Sequence, residues 1–285
     1  MDKRVVRGVD LNRTGSLSEE EVQASQEFYK KTLGTTLIGL EFWNEHGPDQ
    51  LRRYRRFVDV STPGRYERGQ RKVDGFGFLP YYANHGFAFG VQYLLRTRQR
   101  LGLTKSQIEE GVAMAFLVCG PMGMDTIARA LADFEWIVPE QPANYPEGWA
   151  ADPGAFKCGL DYSRDELAPA ERRALEDWYR DTLGEVPPYV RFLGRERPTV
   201  LKAMRNRWES CFVELPKQFM PVSMLHYAVT TNSKEGVREN VLLAKAWGVS
   251  KEMTLNLICS ALINGWTSGA SLVEEAAGDV LSKWS

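Results

Sequence analysis

Histidine is the side chain best suited to moving a proton near neutral pH, and this chain has three. One of them, His85, lies in FGFLPYYANHGFAFG, a segment dense in aromatic residues and glycine. Tyr81, Tyr82 and Asn84 stand beside it and could bind a flat or cyclic compound by its faces and polar edges. We therefore predict His85 as a general acid or base, with Tyr81 and Tyr82 as the other catalytic residues. The alternative is a histidine held by hydrogen bonds beneath a loop.

The other two histidines carry weaker signals. His226, in SMLHYAVTTN, is expected to begin a helix, where a structural role is favoured over a functional one. His46 is followed by Gly47 and Pro48 and is predicted to be a turn residue. Arg96 is a candidate for holding a substrate carboxylate, because a guanidinium binds that group with two parallel hydrogen bonds. A solvated surface arginine is the alternative.

The four cysteines do not form a recognisable site. Cys119, Cys158, Cys211 and Cys259 are far apart and include no C-x-x-C, so neither a zinc site nor a redox pair is indicated. Cys119 is predicted on the apolar face of a helix, where packing is favoured over nucleophilic chemistry. A thiol peroxidase is therefore the least favoured function.

Adjacent carboxylates at Glu109 and Glu110 also do not indicate a catalytic dyad. On a helix, neighbouring side chains point about 100° apart. One of the two is expected to be solvated, and the other could face a cleft.

Composition excludes several functional classes. The 285 residues are 43% hydrophobic and 26% charged, with a formal net charge of -1, so nothing favours a nucleic-acid or membrane partner. The N-terminal residues lack the apolar core of a secretory signal, and no apolar run approaches the roughly 18 residues of a membrane-spanning helix. A cytoplasmic location is expected. No glycine-rich phosphate loop and no HExxH appears, so we expect no cofactor and no metal.

The strongest pattern is an internal repeat. Residues 29–55 align without a gap with residues 179–205, at an offset of 150, and eight of the 27 positions are identical. Further along, residues 93–123 match the second half less closely at an offset of 146. The identical pairs of the first block are Tyr29/Tyr179, Thr32/Thr182, Leu33/Leu183, Gly34/Gly184, Phe42/Phe192, Pro48/Pro198, Leu51/Leu201 and Arg55/Arg205.

Helical periodicity dominates both halves. Apolar residues recur at helical spacing from Ile108 to Cys119, after an N-cap at Thr104 with Gln107 in a capping box. Ser250 is predicted to cap the counterpart helix. Strand patterns are scarce, so the predicted fold class is all-α: two tandem helical repeats packed as a pseudo-symmetric pair. The first repeat is assigned to residues 1–140, a proline-rich connector to 141–168 and the second repeat to 169–285.

The segments RTRQRLGLTKSQIEEGVAMAFLVCGPMGMDTIARAL and LLAKAWGVSKEMTLNLICSALINGWTSGASLVEEA share one arrangement. A helix ends at glycine, LT or VS follows, and an apolar helix is broken at Gly-Pro or Gly-Trp before another helix. This arrangement resembles the carboxymuconolactone decarboxylase and alkylhydroperoxidase D-like superfamily. The resemblance implies an all-helical fold with clefts at helix and subunit junctions. It also implies assembly, for which a homotrimer is favoured and a dimer is the alternative.

This chain departs from the superfamily's catalytic motifs in both halves. The peroxidase branch has C-x-x-C-x-x-x-H before the glycine, but the matching positions hold Ser233, Gly236, Asn240 and, in the first half, Phe87, Gly90, Leu94. The decarboxylase branch has a glutamate and that histidine one turn apart, and the matching pairs are Gly90/Leu94 and Gly236/Asn240. A divergent member is indicated.

The resemblance and the aromatic segment together give the predicted function. We expect a cofactor-independent lyase, isomerase or hydrolase that acts on a small carboxylated lactone or aromatic-derived compound. A non-catalytic ligand-binding or scaffold protein with the same fold is the alternative. Besides the catalytic residues, substrate binding is assigned to Asn84, Arg96, Cys119, His226 and Trp266.

Overall fold

The computed structural model describes residues 4–33, 36, 39–47, 49–61 and 75–284. Within these ranges the chain forms thirteen α-helices and one short antiparallel hairpin, which confirms the all-α class. None of the described helices combines the length and the apolar character needed to cross a membrane. The elements are β1 (Val5–Val6), β2 (Val9–Asp10), α1 (Glu19–Leu33), α2 (Gly39–His46), α3 (Gln50–Ser61), α4 (Phe78–Asn84), α5 (Ala88–Arg100), α6 (Lys105–Ala115), α7 (Pro121–Ala132), α8 (Pro169–Leu183), α9 (Pro188–Glu196), α10 (Pro198–Glu209), α11 (Phe219–Thr230), α12 (Lys234–Ala246) and α13 (Lys251–Ser282).

The predicted helix starts are confirmed by their capping contacts. Thr104 accepts a hydrogen bond from the Gln107 backbone N–H, and the Gln107 side chain accepts one from the Thr104 N–H, which completes the capping box. Ser250 accepts a hydrogen bond from the Met253 N–H at the start of α13. Gly102, after α5, has a φ of 98°, in the left-handed region that glycine enters at little cost.

Two helix positions differ from the prediction. α6 ends at Ala115, so Cys119 follows the helix instead of lying in it, although its side chain is buried as expected. His226 was expected to begin a helix, and this is wrong because α11 already starts at Phe219. The apolar residues from Phe219 to Leu225 are buried and extend the helix in the N-terminal direction.

The chain divides into two compact units, Met1–Arg71 and Lys72–Ser285. The first contains β1, β2 and α1–α3, with a small core of Val6, Val9, Leu11, Leu17 and Leu40. The second contains α4–α13. It therefore holds α4–α7, which the sequence analysis assigns to the first repeat, together with the whole of the second repeat. The boundaries of the repeats stay a prediction.

Within the second unit, α11, α12 and α13 pack against one another, and α4, α5 and α7 form another group of three helices. α11 contacts α4 and so joins the two groups, while α8 packs on α12 and α10 packs on α9. Between α7 and α8 the only regular element described is a 3-10 helix at Pro153–Phe156. One large apolar core runs through the unit.

In the first unit, a buried ion pair links the first turn of α1 to the first turn of α3. Arg52 on α3 donates to both carboxylate oxygens of Glu21 on α1, at 2.7 and 2.8 Å, and also to the Ser16 carbonyl. Glu21 in turn accepts the backbone N–H groups of Asp10 and Ser18, each at 2.9 Å.

The second unit contains the same arrangement 150 residues later. The Lys202 ammonium on α10 donates to both oxygens of Glu171, at 2.9 and 3.1 Å, and to the Glu166 carbonyl. Glu171 also accepts the N–H groups of Asp161 and Ala168.

Candidate active site

A cavity of about 230 Å³ lies in the second unit among α8, α9, α10 and α12. Apolar side chains form much of its wall, and a few polar groups converge on it, which is the usual composition of a small-molecule site. Its lining residues are Leu117, Val118, Tyr179, Tyr189, Leu201, Met204, Arg205, Arg207, Trp208, Met224, Glu239, Asn240 and Leu243.

Local sequence explains how α8 presents Tyr179. Pro169 occupies the first turn, where its missing N–H costs nothing, and Gly184 ends the helix with a φ of 79°. Leu175, Tyr179 and Leu183 follow one another at spacings of four, so they share the buried face of the helix. The Tyr179 hydroxyl is thereby held at the cavity while the rest of the ring packs in the core.

Three polar side chains from three helices form a hydrogen-bonded chain at the cavity. The Tyr189 hydroxyl on α9 lies 3.1 Å from Oε1 of Glu239 on α12. The hydroxyls of Tyr189 and Tyr179 lie 2.8 Å apart, and either one can be the donor. The chain therefore runs from the Glu239 carboxyl through Tyr189 to Tyr179.

Burial changes the acidity of all three groups. Loss of hydration raises the pKa of Glu239 from 4.5 to about 7, against the opposing effects of the Tyr189 hydrogen bond and the Arg205 charge. Desolvation likewise raises the pKa of Tyr179 to about 12 and that of Tyr189 well above its usual value. Near neutral pH, Glu239 can therefore both accept and release a proton, while the tyrosines keep theirs.

Arg205 supplies positive charge beside this chain. It is 3% exposed, and its guanidinium carbon lies 4.0 Å from the Trp178 ring centre and 4.5 Å from that of Trp208. Its Nε donates to Glu209 at 2.8 Å, and its Nη2 donates to the Phe156 carbonyl. The side chain is therefore fixed by contact with two rings and by acceptors at its edge.

One nitrogen of that guanidinium is left without a hydrogen bond. Arg205 Nη1 is buried, and none of the described residues accepts a hydrogen bond from it. A buried donor without an acceptor costs free energy, so it is a natural point of attachment for an anionic group of a ligand. Arg207, which is exposed at the same cavity, adds a second positive charge.

The arrangement can perform acid–base chemistry on a compound that carries a negative charge. Glu239 supplies a group that exchanges protons near pH 7, and Arg205 supplies a fixed cation. Among the described residues, no group of three or more His, Cys, Asp or Glu side chains is placed to hold a metal ion.

The structure gathers most of the predicted site residues at another place in the second unit. The rings of Tyr81 and His85 lie 4.1 Å apart, and Tyr81 also lies 6.3 Å from the ring of His226. His85 is exposed, with Nδ1 2.8 Å from the Tyr81 carbonyl oxygen, whereas His226 is 1% exposed and lies 4.1 Å from the ring of Phe78.

Other predicted residues adjoin this aromatic group. The Tyr82 ring stacks on that of Phe78 at 5.4 Å. The Asn84 amide donates to the Tyr227 hydroxyl at 2.9 Å. The Cys119 thiol is buried near the Pro80 carbonyl, and burial raises its pKa to about 11, which favours the predicted packing role over a thiolate nucleophile.

The last two predicted residues lie on separate helices. Arg96 is half-buried on α5. Trp266 is 66% exposed at a kink in α13, with a φ of 48° and a ψ of -145°. That backbone conformation is strained for any residue other than glycine. None of the predicted site residues lines the 230 Å³ cavity.

The cavity is absent from the sequence-based predictions, although three of its lining residues carried a signal. Tyr179, Leu201 and Arg205 are among the eight residues that are identical between the repeats. Tyr189 and Glu239 carried none, since the positions 150 and 146 residues earlier hold Gly39 and Tyr93. Glu239 is half-buried, and an ordinary glutamate on a helix becomes a candidate acid or base only when distant helices pack around it and reduce its hydration.

Comparisons with known proteins add no assignment. No protein-family model matches the chain, and neither a curated protein nor a solved structure matches it.

Proposed function

We propose that the cavity is the active site of a cofactor-independent lyase, isomerase or hydrolase that acts on a small carboxylated lactone or aromatic-derived compound. The observation that carries the proposal is the placement of the Glu239 carboxyl, hydrogen-bonded to Tyr189, in a cavity that also presents Arg205, where desolvation raises the pKa of Glu239. Catalytic acids and bases need a pKa near the working pH, and burial is a common way to achieve it.

Each polar group at the cavity has a role in this proposal. Glu239 takes a proton from the bound compound or returns one to it. Tyr189 donates a hydrogen bond to the Glu239 carboxylate and holds it in one orientation. Arg205 and Arg207 bind the carboxylate of the substrate, because a guanidinium matches that group in charge and shape.

The proposal includes descent from a duplicated member of the carboxymuconolactone decarboxylase and alkylhydroperoxidase D-like superfamily. Two regularities support the duplication. α1 and α8 begin and end 150 residues apart, and α5 and α12 begin and end 146 residues apart, the two offsets of the sequence repeat. The buried pair Glu21–Arg52 also has its counterpart in Glu171–Lys202.

The test compares three variants after a substrate has been found. Lactones and aromatic acids are first screened for an increase in melting temperature, and every compound that binds is incubated with the protein and analysed by mass spectrometry. Glu239→Gln should lower kcat at least 100-fold, since the amide cannot carry the proton. Glu252→Gln, at an exposed glutamate in the first turn of α13, is the matched control and should keep full activity.

The aromatic group at His85 provides the competing location. If His85→Ala removes turnover and Glu239→Gln does not, the active site lies there and the cavity proposal is wrong. If compounds stabilise the protein but none is converted, the chain is a binding protein, the alternative that the sequence also allows.

A further inference from the structure

We propose that the cavity binds a small anion together with one proton, which the Glu239 carboxylate takes up from solvent as the anion binds Arg205. The inference rests on the proposed function only in taking the same cavity as the ligand site. It concerns binding, so it can be tested without knowledge of the reaction.

The charge of Glu239 sets the direction of the hydrogen bonds that link it to Tyr189 and Tyr179. When Glu239 is ionised it can only accept, so Tyr189 donates to Glu239 and Tyr179 donates to Tyr189. Each hydroxyl has a single proton, and Tyr179 then has none left for a ligand. An anion beside it would meet the lone pairs of its oxygen.

Protonation of Glu239 reverses the direction of the hydrogen bonds between Glu239, Tyr189 and Tyr179. The carboxylic acid donates to the Tyr189 oxygen, Tyr189 donates to Tyr179, and the Tyr179 proton becomes free to point at a ligand. The 2.8 Å separation of the two hydroxyls allows either direction. An anion in the cavity then gains a donor from Tyr179 in addition to Arg205 Nη1, the buried nitrogen without an acceptor among the described residues.

The charges of Arg205, Glu209 and Glu239 also favour protonation of Glu239 when an anion binds. The positive charge of Arg205 is already matched by Glu209, 2.8 Å from its Nε. An ionised Glu239 therefore leaves the buried part of the site with a net negative charge, which repels an anion. One added proton removes that charge and lets Arg205 and Arg207 attract the ligand.

The surroundings of Glu239 identify it as the group that titrates. The groups that act on it are Tyr189 from α9, Arg205 from α10 and Glu235, one turn earlier on its own helix. α8 contributes Tyr179 to the hydrogen-bonded chain, and α11 contributes only Met224 to the lining of the cavity. From α13, Asp279 is bound by Arg238 at 2.9 Å. The tyrosines keep their protons throughout the neutral range.

The experiment is isothermal titration calorimetry on the full chain with benzoate, acetate and inorganic phosphate as probes. Each titration is run at pH 7.5 in two buffers with different ionisation heats, which gives the number of protons taken up. The wild type should take up about 0.8 proton with benzoate, the fraction of Glu239 that is ionised half a unit above its pKa. The Kd should rise roughly tenfold per pH unit above pH 7.

Two variants and one control separate the inference from its alternatives. Glu239→Gln should bind benzoate with a Kd that no longer depends on pH and without proton uptake, while Glu252→Gln should behave as the wild type. Tyr179→Phe should weaken binding below pH 7, where the Tyr179 proton is available, more than it does at pH 9.

The outcomes distinguish this inference from the proposed function. Binding of benzoate without proton uptake, or no binding of any probe at any pH, overturns the inference. It leaves the enzymatic proposal to be judged by the turnover of Glu239→Gln. Conversely, proton uptake in a protein that converts none of the screened compounds supports the inference and contradicts the enzyme.

Discussion

Two glutamates show how surroundings decide the chemistry of a side chain. Glu171 accepts backbone hydrogen bonds from Asp161 and Ala168 and a further one from Lys202, and these contacts lower its pKa to about 2. Glu239 has one neutral donor, Tyr189, and desolvation raises its pKa to about 7. The first carboxylate is a permanent anion that holds the fold together. The second can change its charge near neutral pH, and such a residue suits proton transfer.

The raised pKa of Glu239 also predicts how stability depends on pH. The folded protein holds the proton up to about pH 7, whereas the unfolded chain loses it near pH 4.5. The unfolded state therefore binds fewer protons between these values, and stability falls as pH rises. Relative to Glu239→Gln, the wild type should lose up to about 3 kcal/mol across this window and no more above it.

Urea unfolding at pH 4.5, 6, 7 and 8 measures this difference. The Glu252→Gln control should show no such trend against the wild type. A stability difference between wild type and Glu239→Gln that stays constant from pH 4.5 to 8 would mean that Glu239 is solvated, and the acid–base role would lose its basis.

Local signals in the sequence define the helices well, because caps and periodicity act over a few residues. Thr104, Gln107 and Ser250 cap their helices as expected. Pairings between helices are not encoded locally. Glu109 and Glu110 look alike in the sequence, yet the structure gives them different roles. Glu109 is exposed beside Lys105, while the Glu110 carboxylate accepts three backbone N–H groups at 2.8 to 2.9 Å from residues 213–215.

Glu110 is therefore predicted to anchor the segment between α10 and α11. Glu110→Ala removes three charge-assisted hydrogen bonds, leaving the N–H groups of exposed Val213 and Glu214 to water and that of buried Leu215 without its acceptor, so it should cost roughly 2–3 kcal/mol. Glu109→Ala, one residue earlier on the same helix, should cost less than about 0.5 kcal/mol. Urea denaturation of the two variants checks the contrast. Equal losses would show that the three contacts contribute nothing to stability.

Because pairings between helices are not encoded locally, the sequence pointed to one candidate site and missed the other. His85, Tyr81 and Tyr82 occupy one short segment, so they could be grouped by inspection. Most of the cavity residues come from α8, α9, α10 and α12, which span more than 60 residues of chain. The repeat pointed to Tyr179, Leu201 and Arg205 among them, but not to the cavity that they share.

At the scale of the whole molecule, the repeat is reflected in buried polar contacts as well as in helix bounds. Glu21 of α1 in the first unit and Glu171 of α8 in the second each bind a cationic side chain 31 residues later. A tyrosine and an arginine also meet in both: the guanidinium carbon lies 5.3 Å from the ring centre in Tyr29–Arg55 and in Tyr179–Arg205. The second pair adjoins Tyr189 and Glu239 at the cavity, so the proposed site includes a tyrosine and an arginine that the sequence repeat shares.

If the proposed duplication is correct and single-repeat members of the proposed superfamily form hexamers, this chain should assemble as a trimer, because closed cyclic symmetry is the common arrangement of soluble oligomers. The predicted contact surface is the first turn of α7, where Met122 is 74% exposed and Met124 40% exposed. Methionine is enriched at protein interfaces, and two of them on an exposed turn are suited to being covered by another subunit. Light scattering should therefore report about three times the chain mass of 32.3 kDa at micromolar concentration.

The double variant Met122→Glu with Met124→Glu should dissociate, since it would place two charges in the contact. Val138→Glu, at a 91% exposed apolar residue between α7 and α8, is the matched control and should keep the assembly intact. A wild-type mass of 32.3 kDa would rule out assembly, whereas twice that mass would indicate the dimer.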